Sequence, residues 1–305
     1  MTPAEKQFLQ RNQLPDSYLD SANRWFTPLL KAFKKPDQTT FIIGINGTQG
    51  SGKSTMADYL HTGLSEQGLR VVSLSLDDFY LTYAERQKLA ADVHPLLKTR
   101  GVPGTHDIAL ALQTIKSLSE DCGETLIPRF DKSTDDRHSK ADFDRITGAV
   151  DVIILEGWCV GSKPQSDEAL AKPVNQLEQQ HDPEGIWRRF ANSALAEDYQ
   201  TLFDKIDTLI MLRAPSFDTV FSWRLEQEKK MIARLARLSD SDHSGIMSEA
   251  EIAAFIAHYQ RITEFSLAEM PNRADHLFQL DSRRQITEYL KSSSASQIPE
   301  ENLSV

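Results

Sequence analysis

A short glycine-rich run carries the most distinctive chemistry in the sequence. Its glycines allow backbone N–H groups to surround a phosphate chain without Cβ clashes. Lys53 supplies positive charge to the β- and γ-phosphates, and the hydroxyl of Ser54 is a ligand for Mg²⁺. The run matches the phosphate-loop pattern GxxxxGK(S/T) and predicts nucleoside triphosphate binding. Together with the residue that follows it, the predicted nucleotide-binding segment is Gly47, Thr48, Gln49, Gly50, Ser51, Gly52, Lys53, Ser54 and Thr55.

Two adjacent carboxylates, Asp77 and Asp78, follow the apolar segment 71–76. We predict that this segment is a strand ending at the same sheet edge as the phosphate loop. A carboxylate at that edge can accept the proton of an attacking hydroxyl during in-line phosphoryl transfer. The alternative is that the pair caps the next helix, a position that Asp favours.

A third acid, Glu156, follows the apolar segment 150–155. An acid after a buried strand is typical of a Walker-B strand, whose carboxylate reaches Mg²⁺ directly or through water. A solvated glutamate at a strand end is the plainer interpretation, but the four apolar residues before it favour the metal role. Ser54 and Glu156 are therefore the predicted magnesium ligands.

Short apolar segments that alternate with helical patterns must position these groups. The predicted strands are 39–45, 71–76, 150–155, 208–212 and 276–280. Helical patterns lie between several of them, including 53–69 and 217–238. This alternation predicts an α/β fold of the P-loop NTPase type, with a mostly parallel sheet and helices on both faces.

Composition excludes several classes of protein. The chain has 305 residues and a formal charge of −10, which disfavours nucleic acid and anionic membranes as partners because Lys and Arg make most phosphate contacts. No uncharged apolar run approaches the roughly 18 residues of a membrane span, and residues 1–17 lack the apolar core of a signal peptide. Cys122 and Cys159 are too far apart in sequence to indicate a disulfide scaffold or a zinc site, which leaves two reduced thiols and predicts a cytoplasmic protein.

Taken together, the phosphate loop, the SLDDFY segment and the LEG segment resemble the small-molecule kinases related to uridine kinase, phosphoribulokinase and pantothenate kinase. Residues 94–107 (HPLLKTRGVPGTHD), 128–133 (PRFDKS) and 156–158 narrow the likeness, since together they are similar to the plant-type D-glycerate 3-kinases. The likeness runs from about residue 41 to about residue 281.

The resemblance implies ATP- and Mg²⁺-dependent phosphorylation of a hydroxyl, with D-glycerate as the small anionic acceptor. It implies that Asp77 is the general base, that Glu156 is the magnesium-associated acid and that Arg224 is a lid arginine reaching the transferring phosphate. It also implies a P-loop kinase domain (38–290) with an acceptor-binding insertion (77–149) and a lid region (216–270). Outside the likeness, apolar residues at helical spacings predict an N-terminal helical extension (1–37), and a small, polar composition predicts a disordered tail (291–305).

A carboxylate acceptor needs cationic partners, and arginine suits it through bidentate pairing. The candidates for acceptor binding lie in or at the start of the insertion: Tyr80, Arg100, His106, Arg129 and Lys132. For any one of these cations a surface salt bridge is an equally good interpretation, so the prediction concerns the set.

Several alternatives remain open at this point. Residues 240–251 match a calcium-loop pattern, although no second such loop is present and Ser248 with Glu251 reads as a helix capping box. The acceptor could be pantothenate, a nucleoside or a sugar phosphate. A different class, a nucleotide-dependent regulator or calcium-responsive binding protein, is disfavoured by Asp77 and Arg224, because a binding switch needs no base for an acceptor hydroxyl.

Overall fold

The computed structural model describes residues 1–33, 40–120, 123–235 and 248–292. The strands in these ranges are β1 (Phe41–Gly47), β2 (Val71–Ser75), β3 (Glu124–Ile127), β4 (Phe130–Asp131), β5 (Asp136–Arg137), β6 (Asp144–Thr147), β7 (Val152–Gly157), β8 (Thr208–Arg213), β9 (His276–Leu280) and β10 (Ile286–Lys291).

The helices in the same ranges fall into an N-terminal group, a group in the two long connections and a C-terminal group. They are α1 (Pro3–Asn12), α2 (Tyr18–Trp25), α3 (Thr27–Ala32), α4 (Lys53–Glu66), α5 (Tyr83–Asp92), α6 (Ile108–Ser119), α7 (Asp167–Leu170), α8 (Gln176–His181), α9 (Ile186–Ala196), α10 (Asp198–Phe203), α11 (Phe217–Leu235), α12 (Glu249–Ala257) and α13 (Gln260–Glu269).

Six strands form the central sheet in the order β10-β9-β8-β1-β7-β2, and every pairing except that of β10 with β9 is parallel. All six residues of β7 are buried, as expected for a strand covered on both faces. The register places Ile45, Glu156 and Ser75 side by side. The phosphate loop, Glu156 and the Asp77–Asp78 pair therefore leave the sheet at one edge, which confirms the α/β, mostly parallel fold expected from the sequence.

Strand β10 was not anticipated. It is an antiparallel edge strand whose residues are half-buried or exposed, so its sequence lacks the continuous apolar run of the inner strands. Lys291, which the sequence interpretation assigned to the polar tail, is the last residue of this strand and pairs with His276.

The N-terminal helices pack onto the same hydrophobic core as the sheet. Phe8 of α1 meets the ring of Tyr59 edge to face at 5.5 Å, and Phe26 meets Phe278 of β9 in the same way at 5.6 Å. Arg11 also forms an ion pair with Asp58 of α4 at 2.9 Å. The extension is thus continuous with the sheet domain in its packing.

The two long connections meet in a second, smaller core. Leu97 and Val102 from the connection after β2 pack with Trp187 and Ala191 of α9, which belongs to the connection after β7. The 161–198 segment, which lies between β7 and β8, therefore supports the loop that carries the RGVPGTHD sequence.

Some predictions concern residues outside the described ranges: Cys122, most of the calcium-like loop (240–247) and the tail from 293. The part of that loop that is described fits the capping-box interpretation, since Ser248 and Glu251 cap α12 reciprocally. No helix in the described part of the chain is long and apolar enough to cross a membrane.

Candidate active site

The phosphate loop joins β1 to α4. Ser51 N–H donates to the carbonyl of Thr48 at 3.1 Å, and Gly52 has φ = 93° where α4 begins. A Cβ at Gly47 would lie 2.5 Å from Ser51 Oγ and 3.2 Å from Lys53 Cβ, so a larger residue there would displace side chains of the loop. The buried side-chain oxygens of Thr48, Gln49 and Ser51 lack hydrogen-bond partners among the described residues. Unpaired buried polar atoms lining the loop fit a site built for a polar ligand.

Lys53, Ser54 and Glu156 meet beside the loop. Ser54 Oγ donates to one oxygen of Glu156 at 2.9 Å, and Lys53 Nζ lies 3.8 Å from the other. That second oxygen is buried and accepts no hydrogen bond among the described residues. A hydroxyl and a buried carboxylate are oxygen donors of the kind that Mg²⁺ takes, usually one or two from protein with water and phosphate completing the shell. The residues present therefore fit the metal that the sequence predicted.

Asp77 lies directly after β2, in a 3₁₀ turn spanning Leu76–Phe79. One of its oxygens accepts from the hydroxyl of Tyr80 at 2.9 Å, and the other accepts from Lys132 Nζ at 2.7 Å. Burial alone would raise the pKa of Asp77, but the charges of Lys132 and Lys53 and the hydrogen bond from Lys132 outweigh it and hold the pKa below its usual value. The carboxylate is thus ionised at neutral pH.

Its neighbour Asp78 has different partners. It accepts from Arg129 Nη1 at 2.7 Å and from the backbone N–H of Phe130 at 3.2 Å. Burial raises the pKa of Asp78, and Arg129 opposes that shift. The alternative that this pair caps the next helix is wrong, because α5 is capped reciprocally by Thr82 and Glu85. Asp78 instead holds the PRFDKS segment against the end of β2.

His106 is buried and lies against the site. Its ring stacks on Tyr80 with centroids 4.4 Å apart, and Nδ1 lies 2.5 Å from the hydroxyl of Tyr199. Either atom can be the donor in this contact, because the hydroxyl oxygen accepts from Gly104 N–H at 3.1 Å and keeps a second lone pair. Burial lowers the pKa of His106 to about 4, and its Nε2 has no partner in the described part of the chain. The ring of His106 thus keeps one buried nitrogen without a partner.

The glycine-rich loop at residues 100–105 is held by aromatic side chains. Trp158 Nε1–H donates to the carbonyl of Gly101 at 3.0 Å, and Tyr259 donates to the carbonyl of Arg100 at 3.2 Å. Gly101 has φ = 138°, and a Cβ there would collide with the Tyr259 ring. Sequence reasoning identified this loop and the segment 156–158, but it gave Trp158 no role and missed Tyr259, which lies far from the loop along the chain.

The arginines of the insertion pair largely with acids. Arg100 is bound to Asp135 and lies 5.5 Å above the Phe130 ring, and Arg129 bridges Asp78 and Asp144. Arg86, which the sequence did not single out, has a completely buried side chain 3.0 Å from the same Asp135. Lys132 also pairs with an acid, Asp77, but its side chain is 60% exposed.

Arg224 lies on α11, with its guanidinium 6.0 Å from the Phe255 ring. The Phe255 ring in turn packs against the ring of Tyr259, with centroids 5.1 Å apart. Burial raises the pKa of Tyr259, the charge of Asp77 adds to that shift, and Arg100 and Arg224 oppose it. Asp77, Arg100 and Arg224 therefore all lie within electrostatic range of one buried phenol.

A cavity of about 580 Å³ extends from the outer side of the phosphate loop. The loop residues from Gly50 to Thr55 form one wall, the α1–α2 connection with Pro15 and Tyr18 forms another, and the β9–β10 turn closes it. This volume falls within the range of small-molecule sites, and the phosphate loop forms part of the cavity wall.

Comparison with known proteins agrees with this geometry, although no family model matches the chain. The uncharacterized kinase mug58 of Schizosaccharomyces pombe is 36% identical over 248 residues, covering 78% of this chain and 85% of the relative. The chloroplastic D-glycerate 3-kinase of Arabidopsis thaliana is 31% identical over 237 residues, covering 73% of this chain and 47% of the plant enzyme, about half its length.

Among solved structures, D-glycerate 3-kinase from Cryptococcus neoformans var. grubii serotype A matches with a TM-score of 0.70 and 26% identity, covering 91% of this chain and 100% of the fungal chain. The phosphate loop, the acid at the end of the neighbouring strand and these relatives all indicate a P-loop kinase. The chain belongs to the P-loop small-molecule kinase family that includes D-glycerate 3-kinase, and it is a kinase.

Proposed function

We propose that the protein transfers the γ-phosphate of ATP, with Mg²⁺, to the 3-hydroxyl of D-glycerate, giving ADP and 3-phosphoglycerate. The names of the plant relative and the fungal structure support this acceptor. The observation that carries the reaction type is the Asp77 carboxylate, ionised and held by Tyr80 and Lys132 beside the phosphate loop.

The loop and its neighbours bind the nucleotide. Backbone N–H groups of the loop, Lys53 and the N-terminus of α4 offer positive charge to the phosphates. Ser54 and Glu156 would hold Mg²⁺, which when bound neutralises charge on the phosphate oxygens. The cavity beside the loop, with Pro15 and Tyr18 on one wall, is of a size to take the nucleoside.

The acceptor lies between Asp77 and the RGVPGTHD loop. Among the described residues, the hydrogen bond of the Arg100 guanidinium to Asp135 uses Nη1 alone, so its other N–H groups are placed to bind the acceptor carboxylate. The unsatisfied Nε2 of neutral His106 is assigned the proton of the ring, and with it the role of donor to a hydroxyl or carboxylate oxygen of the acceptor. Arg129, already paired with two carboxylates, is assigned the role of positioning the PRFDKS segment.

In the transfer step, the 3-oxygen of D-glycerate forms a bond to the γ-phosphorus, and Asp77 accepts the proton that this hydroxyl loses. The bond from that phosphorus to the β,γ-bridging oxygen breaks, and ADP leaves with the electron pair. Lys53 and Arg224 stabilise the negative charge of the transferring group. Lys132 keeps Asp77 ionised and oriented before the acceptor arrives.

A coupled assay of ADP release tests the proposal. D-glycerate, L-glycerate, pantothenate, uridine and a pentose phosphate are supplied separately with ATP and Mg²⁺, and ³¹P NMR identifies the product. We expect ADP release to rise with D-glycerate and the new phosphate to be on the 3-oxygen.

The Asp77→Asn variant is the matched control, and it must abolish the acceptor-dependent part of the signal. ADP release that rises with pantothenate, uridine or the pentose phosphate and not with D-glycerate would replace the acceptor while retaining the kinase chemistry. ADP release that is the same with and without every acceptor would contradict the proposed function.

A further inference from the structure

An arginine outside every motif of the sequence contacts the phosphate loop from the β9–β10 turn, on the side of the 580 Å³ cavity. Arg284 lies in the turn between β9 and β10, and its Nε–H donates to the carbonyl of Gly50 at 2.9 Å. Its Nη2 forms an ion pair with Glu226 of α11 at 2.7 Å. The guanidinium also lies 5.4 Å above the indole ring of Trp223, the residue before Arg224 on the same helix.

We propose that Arg284 is a positioning residue that ties the Gly50 peptide of the phosphate loop to the helix bearing Arg224. The proposal rests on the proposed function in that it takes ATP as the ligand of the loop and Arg224 as a catalytic group. Nothing in the sequence patterns assigns a role to Arg284.

The Gly50 end of this connection orients a peptide in the middle of the loop. Gly50 has φ = 81°, a conformation that glycine adopts freely, so its own backbone does not fix the peptide. A peptide carbonyl turned toward the phosphates would repel them, whereas one bound to Arg284 points toward the β9–β10 turn. A charged donor on a carbonyl is among the stronger hydrogen bonds in proteins.

The α11 end of the connection is built rigidly. Trp223 is 2% exposed, and its Nε1–H donates to the carbonyl of Ser282 at 2.8 Å, which docks the turn on the helix. Asp281 holds the turn by accepting from the N–H groups of Arg283 and Gln285, each at 2.8 Å. Arg284 itself has φ = 66°, which is uncommon for a residue other than glycine. The turn is thus held by other residues, and the Arg284 side chain is available to link loop and helix.

The test uses variants of the full chain. Arg284→Met keeps the apolar stem on Trp223 and removes the donors, and Arg284→Lys keeps one donor that can reach one partner at a time. Arg283→Ala is the matched control, because the adjacent Arg283 side chain is 85% exposed and lies 3.8 Å from Asp281. Calorimetric Kd values for Mg·ATP, steady-state kcat and KM values, and melting temperatures are measured for each protein.

We expect Arg284→Met to raise the Kd for Mg·ATP about tenfold, with the KM for the acceptor unchanged. Arg284→Lys should fall between it and the wild type, and Arg283→Ala should match the wild type. A double-mutant cycle of Arg284→Met with Arg224→Ala should show non-additive losses in kcat, since the first substitution moves the helix that carries the second residue.

Wild-type affinity for Mg·ATP in Arg284→Met would overturn the positioning role, and additive kcat losses would overturn the link to Arg224. If the melting temperature of both Arg284 variants falls so far that unfolding explains their weaker binding of Mg·ATP, Arg284 has a structural role instead. If wild-type protein itself fails to bind Mg·ATP, the proposed function fails, and that result is distinct from any difference between variants.

Discussion

The phosphate side and the acceptor side of the site are built in opposite ways. The phosphate side takes most of its groups from the consecutive residues 47–55, with Glu156 as a neighbour from the next strand. The acceptor side gathers Asp77, Arg100, His106 and Lys132 from separate segments. Aromatic residues support them from α10 and from the positions just before α13 and just after β7.

The two sides also differ in how far their polar and charged groups are paired within the protein. Beside the phosphate loop, buried polar atoms lack partners, whereas the arginines of the insertion are bound to acids. Unsatisfied buried groups indicate a ligand site, and satisfied ion pairs indicate structure. The presence of a cationic residue in the sequence is therefore a poor predictor of acceptor binding. A buried polar atom that has no partner in the structure is a better indicator of a ligand site.

The strongest test of this contrast is Arg86→Met. The Arg86 side chain is completely buried and binds Asp135 together with the carbonyls of Leu81 and Lys98. Removing the guanidinium leaves the carbonyls of Leu81, Lys98 and Asp135 without this donor, while the Asp135 carboxylate keeps Arg100, so we expect a loss of about 3 kcal/mol in the free energy of unfolding, measured with urea. Arg145→Met, which breaks an ion pair whose partners are 55% and 49% exposed, is the control and should change stability by less than about 0.5 kcal/mol.

Asp77→Asn and Asp78→Asn together distinguish the roles of the two carboxylates that follow β2. We expect kcat to fall by about 10²-fold or more with the affinity for ATP retained, because the amide cannot accept the hydroxyl proton. Asp78→Asn should instead lower stability, since it weakens the bonds to Arg129 and Phe130. Full activity in Asp77→Asn together with inactive but stable Asp78→Asn would reverse the assignment.

The fold and the phosphate side could be predicted from the sequence because both depend on local patterns. Strands such as Val152–Gly157 are apolar runs that are continuous in sequence, and the phosphate-loop pattern lies entirely within the eight consecutive residues 47–54. β10 was missed because an exposed edge strand carries no such run. The hairpin it forms with β9 also bears Arg284, whose contact with Gly50 spans 234 residues and leaves no local signal.

The acceptor side could be predicted only as a set of residue types. Arg100, Arg129 and Lys132 look alike in sequence, yet one binds Asp135, one bridges two acids and one holds Asp77 while largely exposed. Their roles depend on partners 15 to 55 residues away, which no spacing rule supplies. The aromatic support from Tyr199 and Tyr259 was missed for the same reason.

His106 gives a pH-dependent test of the buried acceptor side. Burial lowers its pKa in the folded protein to about 4, below the value near 6.5 of the unfolded chain. The folded state then excludes a proton that the unfolded state binds, so this contribution to stability is complete above pH 6.5 and is lost as the pH falls from 6.5 toward 4. Relative to His106→Asn, the wild type should lose roughly 2–3 kcal/mol between pH 7 and pH 4.5 in urea unfolding. Parallel pH profiles of the two proteins would show that His106 is not buried as neutral imidazole.

Glu156→Gln probes the metal on the phosphate side. The amide keeps the shape of the side chain and loses the charge beside Lys53 and Ser54. We expect the Mg²⁺ concentration for half-maximal activity to rise by about 10- to 100-fold at saturating ATP. Glu124→Gln, at a residue 49% exposed on the ribbon strand β3, is the control for charge alone. An unchanged Mg²⁺ requirement in Glu156→Gln would remove this residue from the metal site.

Lys132→Met is expected to affect stability least and yet to be informative about the acceptor side. Because the Lys132 side chain is 60% exposed, the free energy of unfolding at pH 7 should change by no more than about 0.5 kcal/mol. The same substitution removes the charge and hydrogen bond that hold the pKa of Asp77 down, so that pKa must rise. Since a general base works only when unprotonated, the acid limb of the pH profile for kcat/KM should move to higher pH, while the limb in Arg145→Met stays in place. A shift toward lower pH, or none, would mean that Lys132 does not act on the base, and the exposed lysine would then be an ordinary surface cation.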